Sequence, residues 1–94
     1  MFDAALVDDG TMRFSGRLDA AESDRARAAL MPLDRPLTVD LSGLEYISSA
    51  GIAVLIEAYK RLTTAGHAFK LTNLQPRVRN VFAYAGLDRL LTIE

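Results

Sequence analysis

The 94 residues carry a formal net charge of −1, half of them are apolar, about a quarter are charged, and there is no cysteine. A chain of that length predicts one domain over residues 1–94, with one core and no deep cleft between lobes. The near-neutral charge argues against a nucleic-acid or anionic-membrane partner, and the missing thiols exclude disulfide staples and thiolate metal sites. Asp3, Asp8 and Asp9 fill the first segment where a secretory leader would be basic, and the longest apolar stretch, Ala50 to Ala58, is interrupted by Glu57 and too short to span a bilayer. The expectation is a cytoplasmic protein without direct membrane insertion.

In chain order, Phe2 to Val7 and Met12 to Ser15 read as strands, and Asp8-Asp9-Gly10 is a turn signal that makes them a hairpin. Asp19 then caps a helix, with Glu22 three residues on as in a capping box. Ala26, Ala29, Leu30 and Leu33 fall at helical spacing, and Pro32 and Pro36 close that element. Leu37 to Leu41 alternates as a strand, and Ser42 to Ser48 reads as a loop. Ala50 to about Ala65 is the strongest helix. Its stripe is Ile52, Leu55, Tyr59 and Leu62, an ion pair is expected between Glu57 and Arg61, and Gly66 is the stop.

Ala68 to Thr72 is a further strand, and Asn73 to Gln75 turns into a third helix opened by Pro76, with Val78, Val81, Phe82 and Ala85 as its stripe. Leu90 to Ile93 forms the last strand. The order β-β-α-β-α-β-α-β predicts an α/β fold: an N-terminal β-hairpin followed by β-α units in a mixed four- to five-stranded sheet. Parallel strands covered on both faces read as continuous apolar runs. These alternate instead, so the helices are expected mainly on one face, as right-handed crossovers stepping one way would place them.

The stretch with chemical content runs from Thr38 to Ile52 and delivers Ser48-Ser49-Ala50-Gly51 to the mouth of the best helix. The first N–H groups of a helix lack intrahelical acceptors and carry partial positive charge. A hydroxyl held there could take a phosphate, which would project about two negative charges onto a surface. The plainer reading is that one serine is only the N-cap. Gly51 is expected to let a partner or phosphate approach the backbone. Ala53 and Ile56 are either core or an exposed apolar patch beside the serines. His67, the sole histidine, is expected at the surface. No metal site, cofactor motif, Ser-His-Asp arrangement or phosphate-cradling glycine run is present.

This segment resembles the signature of the STAS domain, shared by bacterial anti-sigma factor antagonists and the tails of sulfate transporters. The family pattern is an apolar strand, Asp-Leu-Ser, a few residues, and then Asp-Ser-Ser-Gly or Asp-Thr-Ala-Gly opening a helix. Asp40-Leu41-Ser42 and Ser48-Ser49-Ala50-Gly51 stand at the matching spacing. Gly16-Arg17-Leu18-Asp19, Leu71-Thr72-Asn73-Leu74 and Val81 to Leu87 look like further family segments in order.

The resemblance implies an anti-sigma factor antagonist, not an enzyme. It would be phosphorylated on Ser49, or with less support Ser48, by an anti-sigma factor that is also a serine kinase of the GHKL ATPase type, and reset by a serine phosphatase. Together with the patch reading of Ala53 and Ile56 and the expectation that Asp19, at a strand end, lies near Ser49, this makes Ser48, Ser49, Ala50, Gly51, Ala53, Ile56 and Asp19 the expected partner-binding surface. Two positions depart from the antagonist pattern. Ser48 stands where Asp is usual, and Ala50 replaces the common second hydroxyl residue. Both lean toward the alternative of a non-phosphorylated STAS subunit of a lipid-transport ABC complex.

Overall fold

In the computed structural model, which describes residues 1–94, five strands and three α-helices follow one another as β1 (Phe2–Asp8), β2 (Thr11–Leu18), α1 (Ser23–Leu30), β3 (Leu37–Ile47), α2 (Ser49–Thr64), β4 (Phe69–Thr72), α3 (Pro76–Tyr84) and β5 (Thr92–Ile93). The sheet order is β1-β2-β3-β4-β5. β1 and β2 are the antiparallel hairpin, and every later pairing is parallel. Each new strand is added beside its predecessor. With right-handed crossovers, that stepping keeps the helices on one side.

Strand alternation supplies the core. Met12, Phe14 and Leu18 of β2, Leu37, Val39 and Leu41 of β3, and Phe69 and Leu71 of β4 are buried against Ala26, Leu30, Val54, Leu55, Leu62, Val78 and Phe82 of the helices. The intervening residues Arg13, Thr38, Asp40, Lys70 and Thr72 are partly or fully exposed, which makes the other sheet face polar. Arg13 and Asp40 meet there at 3.5 Å, and Lys70 and Glu94 at 3.3 Å.

β3 departs most from the sequence expectation. The segment Ser42 to Ser48 is not a loop: all but Ser48 continues β3, which is 11 residues long. The non-alternating run is absorbed by two register shifts against β2, one between Arg13 and Ser15 and one between Gly16 and Arg17. Each inserts an extra β3 residue and returns the next apolar side chain, Leu44 and then Ile47, to the core. Gly43 permits the first, because a Cβ there would lie 2.9 Å from Ser15 Cβ. β2 is likewise longer than expected, running to Leu18, while β5 is only Thr92–Ile93, after a 3₁₀ turn over Leu87–Arg89.

Three helical expectations are also corrected. Asp19 does cap a helical turn, accepting from Glu22 N–H at 3.1 Å, but that turn is the 3₁₀ segment Ala20–Glu22, and α1 begins only at Ser23. The Glu22 carboxylate pairs forward with Arg25 rather than reaching back to the cap. The buried stripe of α2 is Gly51, Val54, Leu55, Ala58 and Leu62, rotated from the expected one so that Ile52 and Tyr59 are only half-buried. Glu57 and Arg61 do not pair. Glu57 takes a bidentate bond from Arg27 (2.9 and 3.0 Å), and Arg61 donates to the carbonyls of Leu30 and Leu33 at 2.9 and 2.8 Å. Two helices packed side by side offer both groups a partner on α1. For Arg61 the partners are the carbonyl of Leu30, the last residue of α1, which also accepts from Leu33 N–H at 3.0 Å, and that of Leu33 in the turn beyond it.

Asp40 sits at the centre of the polar face with its side chain 13% exposed. Partial burial works against its charge. Hydrogen bonds from the Ser42 backbone and side chain and from Asn73, together with the Arg13 charge, outweigh this and hold the carboxyl below its ordinary range. A depressed folded pKa means that the unfolded chain binds a proton first, so the contribution is present above the unfolded pKa and is lost as pH falls below about 4. Asp40→Asn is therefore expected to flatten the acid side of the stability–pH curve while leaving its shape unchanged above pH 5, as followed by urea titration at stepped pH. Arg61→Leu, which removes the two side-chain hydrogen bonds to the Leu30 and Leu33 carbonyls, should lower unfolding free energy by about 1–2 kcal/mol in the same assay.

Candidate functional site

The site lies at the rim where β2 and β3 end and α2 begins. β3 finishes at Ile47, and Ser48 follows in extended backbone (φ −92°, ψ 171°) with its N–H donating to the Leu18 carbonyl at 2.9 Å. Its hydroxyl accepts from Gly51 N–H at 3.2 Å, and its carbonyl accepts from Ile52 N–H at 2.9 Å. Ser48 is thus the N-cap of α2, a role worth about 1 kcal/mol.

The division of labour between the serines follows from this. Ser49 is the first residue of α2, exposed, with no side-chain hydrogen bond. Its own N–H and that of Ala50 have no carbonyl one turn back within the helix, and no acidic residue lies in this first turn. The end therefore carries the uncompensated positive pole of a 16-residue helix. A group on the Ser49 oxygen would meet that pole on one side and solvent on the other.

Gly51 has a different role from the one expected. It is buried, and a Cβ there would stand 2.7 Å from Leu18 Cγ and 3.0 Å from both Ile47 Cγ1 and the Leu18 carbonyl oxygen. The missing side chain lets α2 seat on the ends of β2 and β3 and offers no approach to a partner. Gly51 is therefore removed from the binding surface.

Ala53 is exposed and Ile56 half-exposed, which favours the patch reading over the core reading. Ser49, Ala53 and Ile56 are spaced by four and three residues and share one helical face. Half-buried Ala50 borders this ridge. Asp19 directly follows Leu18, the residue that holds Ser48, so it belongs to the same rim. Its carboxylate is engaged as the 3₁₀ cap and it is half-buried.

Sequence reasoning passed over two residues of this rim. Arg17 and Tyr46, paired across β2 and β3, form a stack in which the guanidinium carbon lies 4.4 Å from the ring centroid. Neither carries a local motif, and only the β3 register brings them together. His67, expected at the surface, is half-buried and meets Asp34 at 3.2 Å, and nothing connects it to the serines. No group of three or more His, Cys, Asp or Glu side chains is placed to share a cation. The groove between α1 and α2, lined by Leu30, Met31, Val54 and Ala58, holds about 100 Å³, below the range of small-molecule sites. No helix is long and apolar enough to cross a membrane.

The sequence profile of a family described as "Mlab, STAS domain" matches residues 2–92. Among characterised proteins, the chain is similar to the anti-sigma-B factor antagonist of Bacillus subtilis, with 27% identity over 88 residues that cover 90% of this chain and 81% of that one. In fold it resembles an anti-sigma factor antagonist from Mycobacterium paratuberculosis, at TM-score 0.88 and 23% identity, covering 99% of this chain and 85% of that one. It also resembles the Bacillus cell fate determinant SpoIIAA in its phosphorylated form, at TM-score 0.72 and 20% identity, covering 100% and 91%.

The roles found for the two serines separate in stability. Ser48→Ala should cost about 1 kcal/mol through loss of the cap, whereas Ser49→Ala should leave the unfolding midpoint nearly unchanged. Gly51→Ala should cost about 1–3 kcal/mol by overpacking the seat against Leu18 and Ile47. Urea denaturation of the three single variants checks all of these values.

Proposed function

Because the chain belongs to the STAS domain family, we propose that it is an anti-sigma factor antagonist: a non-catalytic module that binds an anti-sigma factor in its unphosphorylated form and is released when Ser49 is phosphorylated. The observation that carries this reading is the freedom of Ser49. Its neighbour Ser48 performs the capping, so the Ser49 hydroxyl is exposed, unbonded and held at a positive helix end. Modification there breaks no side-chain hydrogen bond of the fold and changes the surface by about two charges.

The chemistry follows from that placement. The kinase half of the partner transfers the terminal phosphoryl group of ATP to the Ser49 oxygen. The hydroxyl proton leaves to a base that the kinase supplies, and ADP departs. The new dianion is tolerated locally by the first N–H groups of α2. It is not tolerated by a protein packed on the ridge of Ser49, Ala53 and Ile56, which would have to desolvate it. Affinity falls while the antagonist keeps its shape. A serine phosphatase restores the binding form. The name of the Bacillus subtilis relative and the existence of SpoIIAA in phosphorylated and unphosphorylated forms support this assignment.

The presence of Ser48 where antagonists carry Asp, and of Ala50 in place of the second hydroxyl residue, favours a second reading: a constitutive STAS subunit of a lipid-transport ABC complex. The two differ in partner and in the use of Ser49. Incubation with ATP and the cognate GHKL-type kinase should raise the intact mass by one phosphate, located at Ser49 by peptide fragmentation. Ser49→Asp should weaken kinase binding more than about thirtyfold, a hot-spot-sized loss, and Ser49→Ala should bind in the presence of ATP without release. Unchanged mass, together with co-purification of a transport ATPase, would replace the first reading by the second.

A further inference from the structure

The Arg17–Tyr46 stack has features that a structural role leaves unexplained. The second register shift of β3 creates it. Gly16 pairs with Leu44 and Arg17 with Tyr46, so Glu45 is an extra residue. In a regular strand, residue 46 would fall on the core face with Leu44. The bulge turns Tyr46 outward, opposite Arg17, and sends Ile47 into the core. Such bulges are rare between parallel strands. The outcome is an aromatic ring 38% exposed at the rim, covered on one face by a guanidinium.

The guanidinium is also unpaired. Arg13 has Asp40, Arg25 has Glu22, and Arg27 has Asp24 and Glu57, while the Arg17 side chain takes part in no ion pair and no hydrogen bond, its backbone N–H alone donating, to the Met1 carbonyl. Stacking occupies the flat face of the group and leaves its N–H edges free for a carboxylate. Glu45 does not supply one. It borders a separate polar depression with Gln75, Pro76, Arg77 and Asn80.

The stack is continuous with the proposed binding site. The next residues of the two strands, Leu18 and Ile47, form the seat of Gly51, and Leu18 holds Ser48. Ser49 therefore lies on the helical side of the rim, and Arg17 and Tyr46 lie on the open side. A protein that grips the rim touches both.

Resting on the antagonist reading above, we propose that Arg17 and Tyr46 are the sheet-side anchor of the partner interface, receiving a carboxylate of the partner on the guanidinium edge and an apolar side chain on the tyrosine ring. Arg and Tyr are the residue types that dominate binding energy at interfaces, and a pre-stacked pair loses little conformational freedom on binding. The acidic character assigned to the partner also accounts for the switch. A face that carries carboxylates toward Arg17 is the kind of face that a phosphate on Ser49 repels.

The test measures affinity of the purified GHKL-type kinase that phosphorylates this chain for four forms: unmodified, Arg17→Glu, Tyr46→Ala and Tyr46→Phe. The first two substitutions should each weaken binding by at least about tenfold, and Tyr46→Phe, which keeps the stack, should stay within about twofold. The Arg17→Glu loss should shrink as salt rises, and a merely structural residue would show no such dependence. Circular dichroism establishes folding, and if Tyr46→Ala is unfolded the Arg17→Glu result decides alone. If both variants bind as the unmodified protein does while Ser49→Asp does not, the anchor is wrong and the antagonist reading stands. If the unmodified protein binds no such kinase, both are wrong.

Discussion

The start of α2 is fixed by a contact that only a residue without a side chain can make. At Gly51 the helix backbone lies against Leu18 and Ile47, the last core residues of β2 and β3. From that seat, Ser48 reaches the Leu18 carbonyl with its N–H and turns its hydroxyl back to Gly51 N–H. Once Ser48 is held at both ends, Ser49 has nowhere to go but outward. A larger residue at the seat would lift the helix end and change the direction of the Ser49 hydroxyl.

The rest of the molecule keeps α2 from responding to what happens at that end. Arg27 bridges from α1 to Glu57, and Arg61 ties α2 to the carbonyls of Leu30, which ends α1, and of Leu33 just beyond it. These ties lie two to three turns from Ser49. A charge added at position 49 is thus met by a helix already fastened along its length and seated at its tip. For a regulator that works by repelling a partner this is useful. The free energy of the new charge is expressed in the interface and is not spent on rearranging the protein that carries it.

Much of this was legible in the sequence. The hairpin, the alternation that leaves one sheet face polar, the proline that opens α3 and the serines at the mouth of α2 all rest on short-range chemistry, and they appear where that chemistry puts them. What was not legible depends on register. Ser42 to Ile47 does not alternate and so reads as a loop, yet two inserted residues restore its apolar positions to the core once β2 lies beside it. The same register brings Arg17 to Tyr46, two residues with no local signal between them. Glu57 and Arg61 look like an intrahelical pair because their spacing is right, but a neighbouring helix outcompetes it. Glycine at a helix start suggests close approach from outside, whereas at Gly51 the close approach comes from the protein's own strands.

In the proposed switch, phosphorylation acts by charge at a site that is already built. Backbone amide NMR spectra of the protein before and after modification of Ser49 measure this directly. The predicted result is a set of shifts confined to the first turn of α2 and the adjoining Leu18–Asp19 segment, with the resonances of Leu55, Leu62 and the β4 residues unmoved. Shifts spread through the core, or loss of the α2 signals, would contradict it, because the phosphate would then be reshaping the antagonist and not only its surface.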